Sequence, residues 1–306
     1  MRSAAVSALI VLCACGNLSN EDLAYLSAIP RKGELHVAVP QESASVQALC
    51  GPGSYGNADS WKQSKQTGDS INAAVDGIIS LVEVIRTTSP TERGEDDRTW
   101  GPFPDRNHPG VQIRVRMSRE LDAQNKPWRY LYVFEARRTS DFLPILTGEF
   151  YGAQAKGGIG KLALRFENLT ALQMNNPTDP TQPMRVFYDL SGDPRSISLD
   201  LTAAPGAQLE RFDYFWAGYA DGHGRFDYAF KNANGCTLAL STWFTAQGAG
   251  RAGIHFECPF SRGDADQCWD AQACVTWVND PLQFINACGG AASCGLEASC
   301  SFPKLF

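Results

Sequence analysis

Cysteine offers the most chemistry in this chain, and its spacing divides the ten cysteines into two groups. Cys13 and Cys15 stand one residue apart at the end of the apolar run Ala4–Leu12. Cys50, Cys236, Cys258, Cys268, Cys274, Cys288, Cys294 and Cys300 form the second group, and seven of these eight lie after position 235. Their even number permits four disulfides in an oxidising compartment, although spacing does not choose the pairing. Metal ligation is the other chemistry open to thiols. His255 with Cys258, Cys268 and Cys274 can be written as a zinc set. The pairs lack C-x-x-C spacing, and thiols outside the cytoplasm oxidise, so no metal is expected.

Asp189, Asp200, Asp213 and Asp227 fall on the polar side of strand-like runs. Two such carboxylates could form an acid pair of the glycosidase kind. Outward carboxylates also keep a sheet soluble, which is the simpler account. The four histidines are scattered. His36 falls in a strand-like run, His108 precedes Pro109-Gly110, His223 sits inside Asp221-Gly222-His223-Gly224, and His255 lies near Cys258. Asp264 and Asp266 lack the graded spacing of a calcium loop. Arg262-Gly263-Asp264 spells an adhesion tripeptide short enough to arise by chance. No G-x-S-x-G elbow, H-E-x-x-H pair or Walker loop occurs. Gly157-Gly158-Ile159-Gly160 opens a strand, so it is hairpin chemistry and not a phosphate cradle. No catalytic residue and no cofactor is assigned.

Any site must be positioned by the elements around it. A short helix is expected over Leu23–Ile29, stopped by Pro30, and a first strand over Leu35–Val39. Ile71, Ala74, Val75, Ile78, Val82 and Ile85 recur at three- and four-residue steps, which predicts an amphipathic helix capped by Asp69 or Ser70. The charged stretch from Thr91 to Arg98 reads as a solvated loop. From Val111 to about Pro259 the period changes to two. Val111, Ile113, Val115 and Met117 oppose Gln112, Arg114 and Arg116, and about nine further runs alternate in the same way. Turn signals separate them, among them Asp193-Pro194, Pro205-Gly206 and Asn234-Gly235. Strands this closely spaced leave no room for crossover helices, so they form an antiparallel meander. In Leu209–Tyr219, Phe212, Tyr214 and Trp216 share one face, while Phe215 and Tyr219 share the other. Aromatic residues on both faces mark a possible apolar contact surface.

The opening residues set the address. Arg2 is a short basic region and Ala4–Leu12 is far below the ~20 residues of a membrane-spanning helix, so the segment reads as a signal peptide. Leu12-Cys13-Ala14-Cys15-Gly16 resembles a bacterial lipobox. That resemblance covers only these residues, and Cys13 stands where Ala or Ser is usual. It implies that Cys15 becomes the mature N-terminus and carries acyl chains that hold the domain on a membrane. Gly16 in place of Asp implies the outer membrane. The net charge of -6 at pH 7 argues against a nucleic-acid partner.

The expected architecture is therefore mainly β. A curved antiparallel sheet or open barrel of about ten strands holds one N-terminal amphipathic helix against its concave face. Residues 1–14 are the signal peptide, 15–34 the lipidated tether, 35–259 the helix and sheet, and 260–306 a cysteine-rich cap of the same domain. The whole is similar to uncharacterised exported bacterial lipoproteins, and loosely, in architecture alone, to lipoprotein carrier and receptor folds. It implies an envelope lipoprotein that binds an apolar ligand or a protein partner without catalysis. A structural lipoprotein with a packed interior and an Asp-dependent hydrolase are the alternatives.

Overall fold

The computed structural model describes residues 18–38, 50, 54–152, 158–175, 182–202, 209–283, 285 and 287–304. The described residues form three α-helices: α1 (Asn20–Ser27), α2 (Asp59–Glu83) and α3 (Phe166–Ala171). The strands are β1 (Glu92–Arg93), β2 (Asp97–Pro104), β3 (Gln112–Leu121), β4 (Pro127–Arg137) and β5 (Leu143–Tyr151). They continue with β6 (Ile159–Leu164), β7 (Met184–Asp189), β8 (Arg195–Thr202), β9 (Leu209–Gly218) and β10 (Gly224–Asn232). The last are β11 (Thr237–Phe244), β12 (Gly250–Cys258), β13 (Ser261–Trp269), β14 (Val275–Asn279) and β15 (Ser293–Gly295). All fifteen belong to one antiparallel sheet whose spatial order follows chain order, so it is an open meander.

The strand count exceeds the expected ten for two reasons. The stretch expected to be a solvated loop holds β1 and the start of β2, because Arg93 and Arg98 turn inward onto the carboxylate of Asp22. The region expected to be a cap of turns instead continues the sheet through β13, β14 and β15, leaving a single 3-10 turn at Glu297–Ser299. Its buried residues include Asp266 and Gln267, so no apolar alternation announced a strand.

The helices also depart from expectation. Ser19 caps α1: its hydroxyl accepts from Asp22 N at 3.1 Å, and Asp22 Oδ2 accepts from Ser19 N at 2.9 Å. Residues 35–38 form no strand. They run beside α2, where Asn72 bonds both the amide and the carbonyl of Val37, and His36 Nε2 meets Asp76 Oδ2 at 3.0 Å. Helix α2 begins at Asp59, so Asp69 and Ser70 are interior and Ala58 is the cap. The chain leaves β6 at Leu164 and turns directly into α3 at Phe166.

Two clusters form the core. The larger joins Ile71, Val75, Ile78, Ile79 and Val82 of α2 to alternate side chains from β2 through β11. The smaller surrounds Trp61 with Ala252, Trp269, Ala273, Val275 and Val278. Helix α2 and the turns that follow it thereby reach both ends of the meander. At one end Gln267 Oε1 accepts from Ser60 N at 3.1 Å, and Ser64 Oγ shares a 2.9 Å hydrogen bond with Thr242 Oγ1. At the other, Trp100 Nε1 donates to Thr88 O at 2.9 Å, just past the helix. Trp100 is fully buried. Gly101 after it has φ 98°, and a Cβ there would lie 2.7 Å from Ile113 O, so the bend needs glycine.

Several core rings lie across a glycine of the neighbouring strand. Tyr132 pairs with Gly148, Phe244 with Gly224 and Trp269 with Gly250. Tyr188 covers Gly160 in the same way. A Cβ at any of these glycines would collide with the ring.

Candidate functional site

The eight described cysteines are all paired: Cys50–Cys274, Cys236–Cys258, Cys268–Cys300 and Cys288–Cys294. This removes the thiols of the zinc set. No group of three metal-ligating side chains gathers among the described residues. Cys13 and Cys15 lie outside them. No described helix is long and apolar enough to cross a membrane.

The structure gives each of the four aspartates a partner of its own. Asp189 accepts from the Ser191 hydroxyl at 2.6 Å, which with the Ser191 amide holds its carboxyl below the usual range. Asp200 and Asp213 do face each other across β8 and β9. Asp200 is engaged by Arg185 at 3.3 Å, however, and Asp213 by Arg211 at 2.6 Å. Asp227 meets Arg225 Nε at 2.6 Å and accepts from the Ser241 hydroxyl. Asp264 faces His255 at 2.6 Å. Asp266, two residues on and on the same face of β13, is buried against Arg251; burial pushes its pKa up and Arg251 opposes the shift.

The aromatic residues of β9 divide as strand alternation requires. Tyr214 and Trp216 are buried in the core, and half-buried Phe212 packs against it. Phe215 points outward and is 38% exposed. Tyr219, just past the strand, stacks on His223 with ring centroids 3.8 Å apart.

Register shows what surrounds Phe215. Cross-strand pairing links Leu131, Glu149, Lys161, Phe187, Ser198, Phe215, Asp227 and Ser241 into one row across β4 to β11. Beside it runs a row of shorter residues at several positions, including Thr147, Ala163, Ala229 and Ala239. Short side chains beside long ones leave hollows. One, of about 420 Å³, has Leu131, Val133, Thr147 and Ala163 in its lining and Phe187 at its side. A second, of about 400 Å³, is lined by Phe215, Ala229, Ala239 and Ser241 with Asp213, Arg225 and Asp227 at the rim. Phe187 and Phe215 are separated by a single strand position, Ser198. Both are exposed. Periodicity placed Phe215 on the outer side, but Phe187 became notable only when register set it near Phe215.

Glu149 anchors the charged rim of the first hollow. Burial raises its pKa, but Lys161, Tyr151 and Arg129 bond its carboxylate and bring it down to about 2. The rim is thus a closed ionic set rather than a proton donor.

On the inner side, the hydroxyls of Tyr25, Tyr132, Tyr188 and Tyr214 are buried with no hydrogen-bond partner among the described residues. Burial raises the pKa of each, that of Tyr25 to about 12. Comparison of the chain with protein-family models, curated proteins and solved structures returns no match.

Proposed function

We propose that this chain is an exported, lipid-anchored binding protein that engages a protein partner through the outward face of its sheet. The observation carrying this reading is the pair of hollows flanked by exposed Phe187 and Phe215. Exposed apolar groups beside hollows suit a partner that inserts apolar side chains, and the paired charges around them suit a polar rim. The described histidines and carboxylates offer no comparable constellation.

The anchor is Cys15. Four disulfides fit an oxidising, exported location, and Gly16 favours the outer membrane. The sheet is taken to curve around α2. Fifteen strands at a spacing of ~4.8 Å would span ~67 Å if flat. Helix α2 is only ~37 Å long at its 25 residues, yet it shares one core with strands from β2 to β11.

The test is photocrosslinking in the native cell from position 198, midway between the two phenylalanines. A discrete protein adduct, lost on Phe187→Asp or Phe215→Asp, is expected. Absence of any adduct from a folded, membrane-bound chain would sink the reading. The anchor has its own readout: the mature N-terminal peptide should carry acyl chains, and Cys15→Ser should release the domain from the membrane.

The buried tyrosine hydroxyls favour a second reading. An unsatisfied buried hydroxyl costs ~1–3 kcal/mol, so a polar group of an interior ligand would find donors there. Native mass spectrometry of the oxidised domain separates the two. A small-molecule adduct that leaves on denaturation supports an interior ligand, and a bare mass leaves the outward face as the working surface.

A further inference from the structure

The outward face carries one more hollow, toward the C-terminal end of the sheet. It measures about 260 Å³ and is lined by Arg225, Ser241, Trp243, Phe302, Pro303 and Lys304. Trp243 rises from β11, and Phe302 leans on it with ring centroids 6.0 Å apart and planes tilted by 42°. The second wall is firmly held. Arg251 Nη1 donates to Phe302 O at 3.2 Å, and the Cys268–Cys300 disulfide fixes the chain two residues earlier. Arg251 itself is 2% exposed and bonded to Glu297 at 2.9 Å.

More rings continue this surface. Trp243 lies 6.4 Å from Tyr219 and 6.2 Å from His223, with planes within 26° and 14° of theirs. Because Tyr219 and His223 are stacked at 3.8 Å, the near-equal distances set Trp243 beside that pair and not on top of it. The three rings make a stepped platform of nearly parallel planes.

Its rim is polar, and its charges are largely answered. The Arg225 guanidinium lies over the Trp243 ring, 5.3 Å from its centre. Its Nε faces Asp227, which also accepts from Ser241. Lys304 also lines the hollow.

This combination selects among ligand classes. A purely apolar molecule would strip water from Arg225, Lys304 and Ser241 and offer nothing in return. A simple anion would leave the rings unused and would meet Asp227. A pyranose ring has both required surfaces: an apolar C–H face and an edge of hydroxyls that donate and accept. The volume lies below the ~300–1,000 Å³ of sites for drug-sized ligands, which suits one sugar ring. We propose that this hollow is a saccharide subsite. The sugar lies on Trp243 against Phe302, its edge hydroxyls meet Arg225 and Lys304, and Tyr219 with His223 carries the next residue of a glycan chain.

This hollow adjoins the protein-partner surface and shares Arg225 and Ser241 with it, but the two are told apart by their own aromatic residues. The oxidised mature domain would be titrated with three tetrasaccharides: β-1,4-linked glucose, β-1,4-linked N-acetylglucosamine and a uronate oligomer. Saturation-transfer NMR and calorimetry would read binding. At least one should bind at millimolar concentration or below. Trp243→Ala should weaken it about tenfold, Trp243→Phe should recover part of the loss, and Lys304→Ala should weaken it without touching the core. Phe187→Ala and Phe215→Ala should leave it unchanged. Failure of all three sugars to bind at millimolar concentration would overturn the proposal. So would binding that survives Trp243→Ala in a folded protein.

Discussion

Asp22 has no solvent exposure, and it remains ionised because its surroundings supply charge. Burial pushes its pKa up, but hydrogen bonds from Arg93, Ser19 and Arg98 outweigh it and bring the value down to about 2. Arg98 is 2% exposed and also spans to Glu21. A carboxylate whose pKa is depressed in the folded state contributes stability above its unfolded pKa of ~3.9. That contribution is lost as pH falls through the folded value. The expected loss from Asp22 is about 2 kcal/mol between roughly pH 4 and pH 2, read as a falling urea midpoint across that window. Asp22→Asn should flatten this part of the profile and cost ~3–5 kcal/mol at neutral pH by removing the buried carboxylate that Arg93 and Arg98 share, which leaves exposed Glu21 as the remaining anionic partner of Arg98. In the sequence Asp22 does no more than precede a helical run. Its partners lay some seventy positions away in a stretch whose charge read as solvation. The glycine and ring pairs were equally hidden, because they need register. Gly148→Val would force the Tyr132 ring out of place, at ~1–3 kcal/mol of overpacking, visible as a lower thermal midpoint and altered near-UV dichroism.

Elements were legible where one face is apolar and the other polar, as in β3, β8 and β10. They were missed where burial is polar. The first half of α2 buries Ser60, Trp61, Ser64 and Gly68, a set with one large apolar residue, so the helical period began only at Ile71. Small polar residues serve there because the helix sits close to β11 and β13 and bonds Thr242 and Gln267. Trp61 is the apolar anchor of that half and is 5% exposed. Trp61→Ala should cost ~3–5 kcal/mol through the cavity left among Ala252, Trp269 and Val275. Denaturant unfolding followed by far-UV dichroism would measure it. A cost below ~1 kcal/mol would mean that the first half of α2 is not docked as described. The candidate surface followed the same rule. Alternation separated Phe215 from Tyr214, but hollows depend on which neighbours are short, and cross-strand pairing alone decides that.

A sheet of fifteen strands in chain order has two edges to protect. β1 has two residues and β15 has three, so neither offers a long template for another chain. β2 carries Pro102 and Pro104, which have no amide to donate. Tyr55 N and Gly56 O bond Val275, so the segment before α2 covers part of β14. The domain should therefore run as a monomer in sedimentation, even at high concentration. Cys50–Cys274 joins that segment to the sheet across 224 residues. In the chain-entropy account a loop of that size stabilises by about 5 kcal/mol, so Cys50→Ser with Cys274→Ser should lower the denaturant midpoint more than loss of Cys288–Cys294, whose loop spans 6. The same bridge decides how the molecule bears load. A meander in chain order would peel strand by strand if pulled from its ends. Tension applied at residues 18 and 304 first loads α1 and its ion pairs to β1 and β2; once α1 is pulled free, the load is carried by sulfur from Cys50 to Cys274 and from Cys268 to Cys300, and β1 to β12 are shielded from it. An oxidised chain held in an optical trap should extend little. On adding reductant it should release a further ~760 Å for the 224 residues shielded, in a series of strand-sized steps.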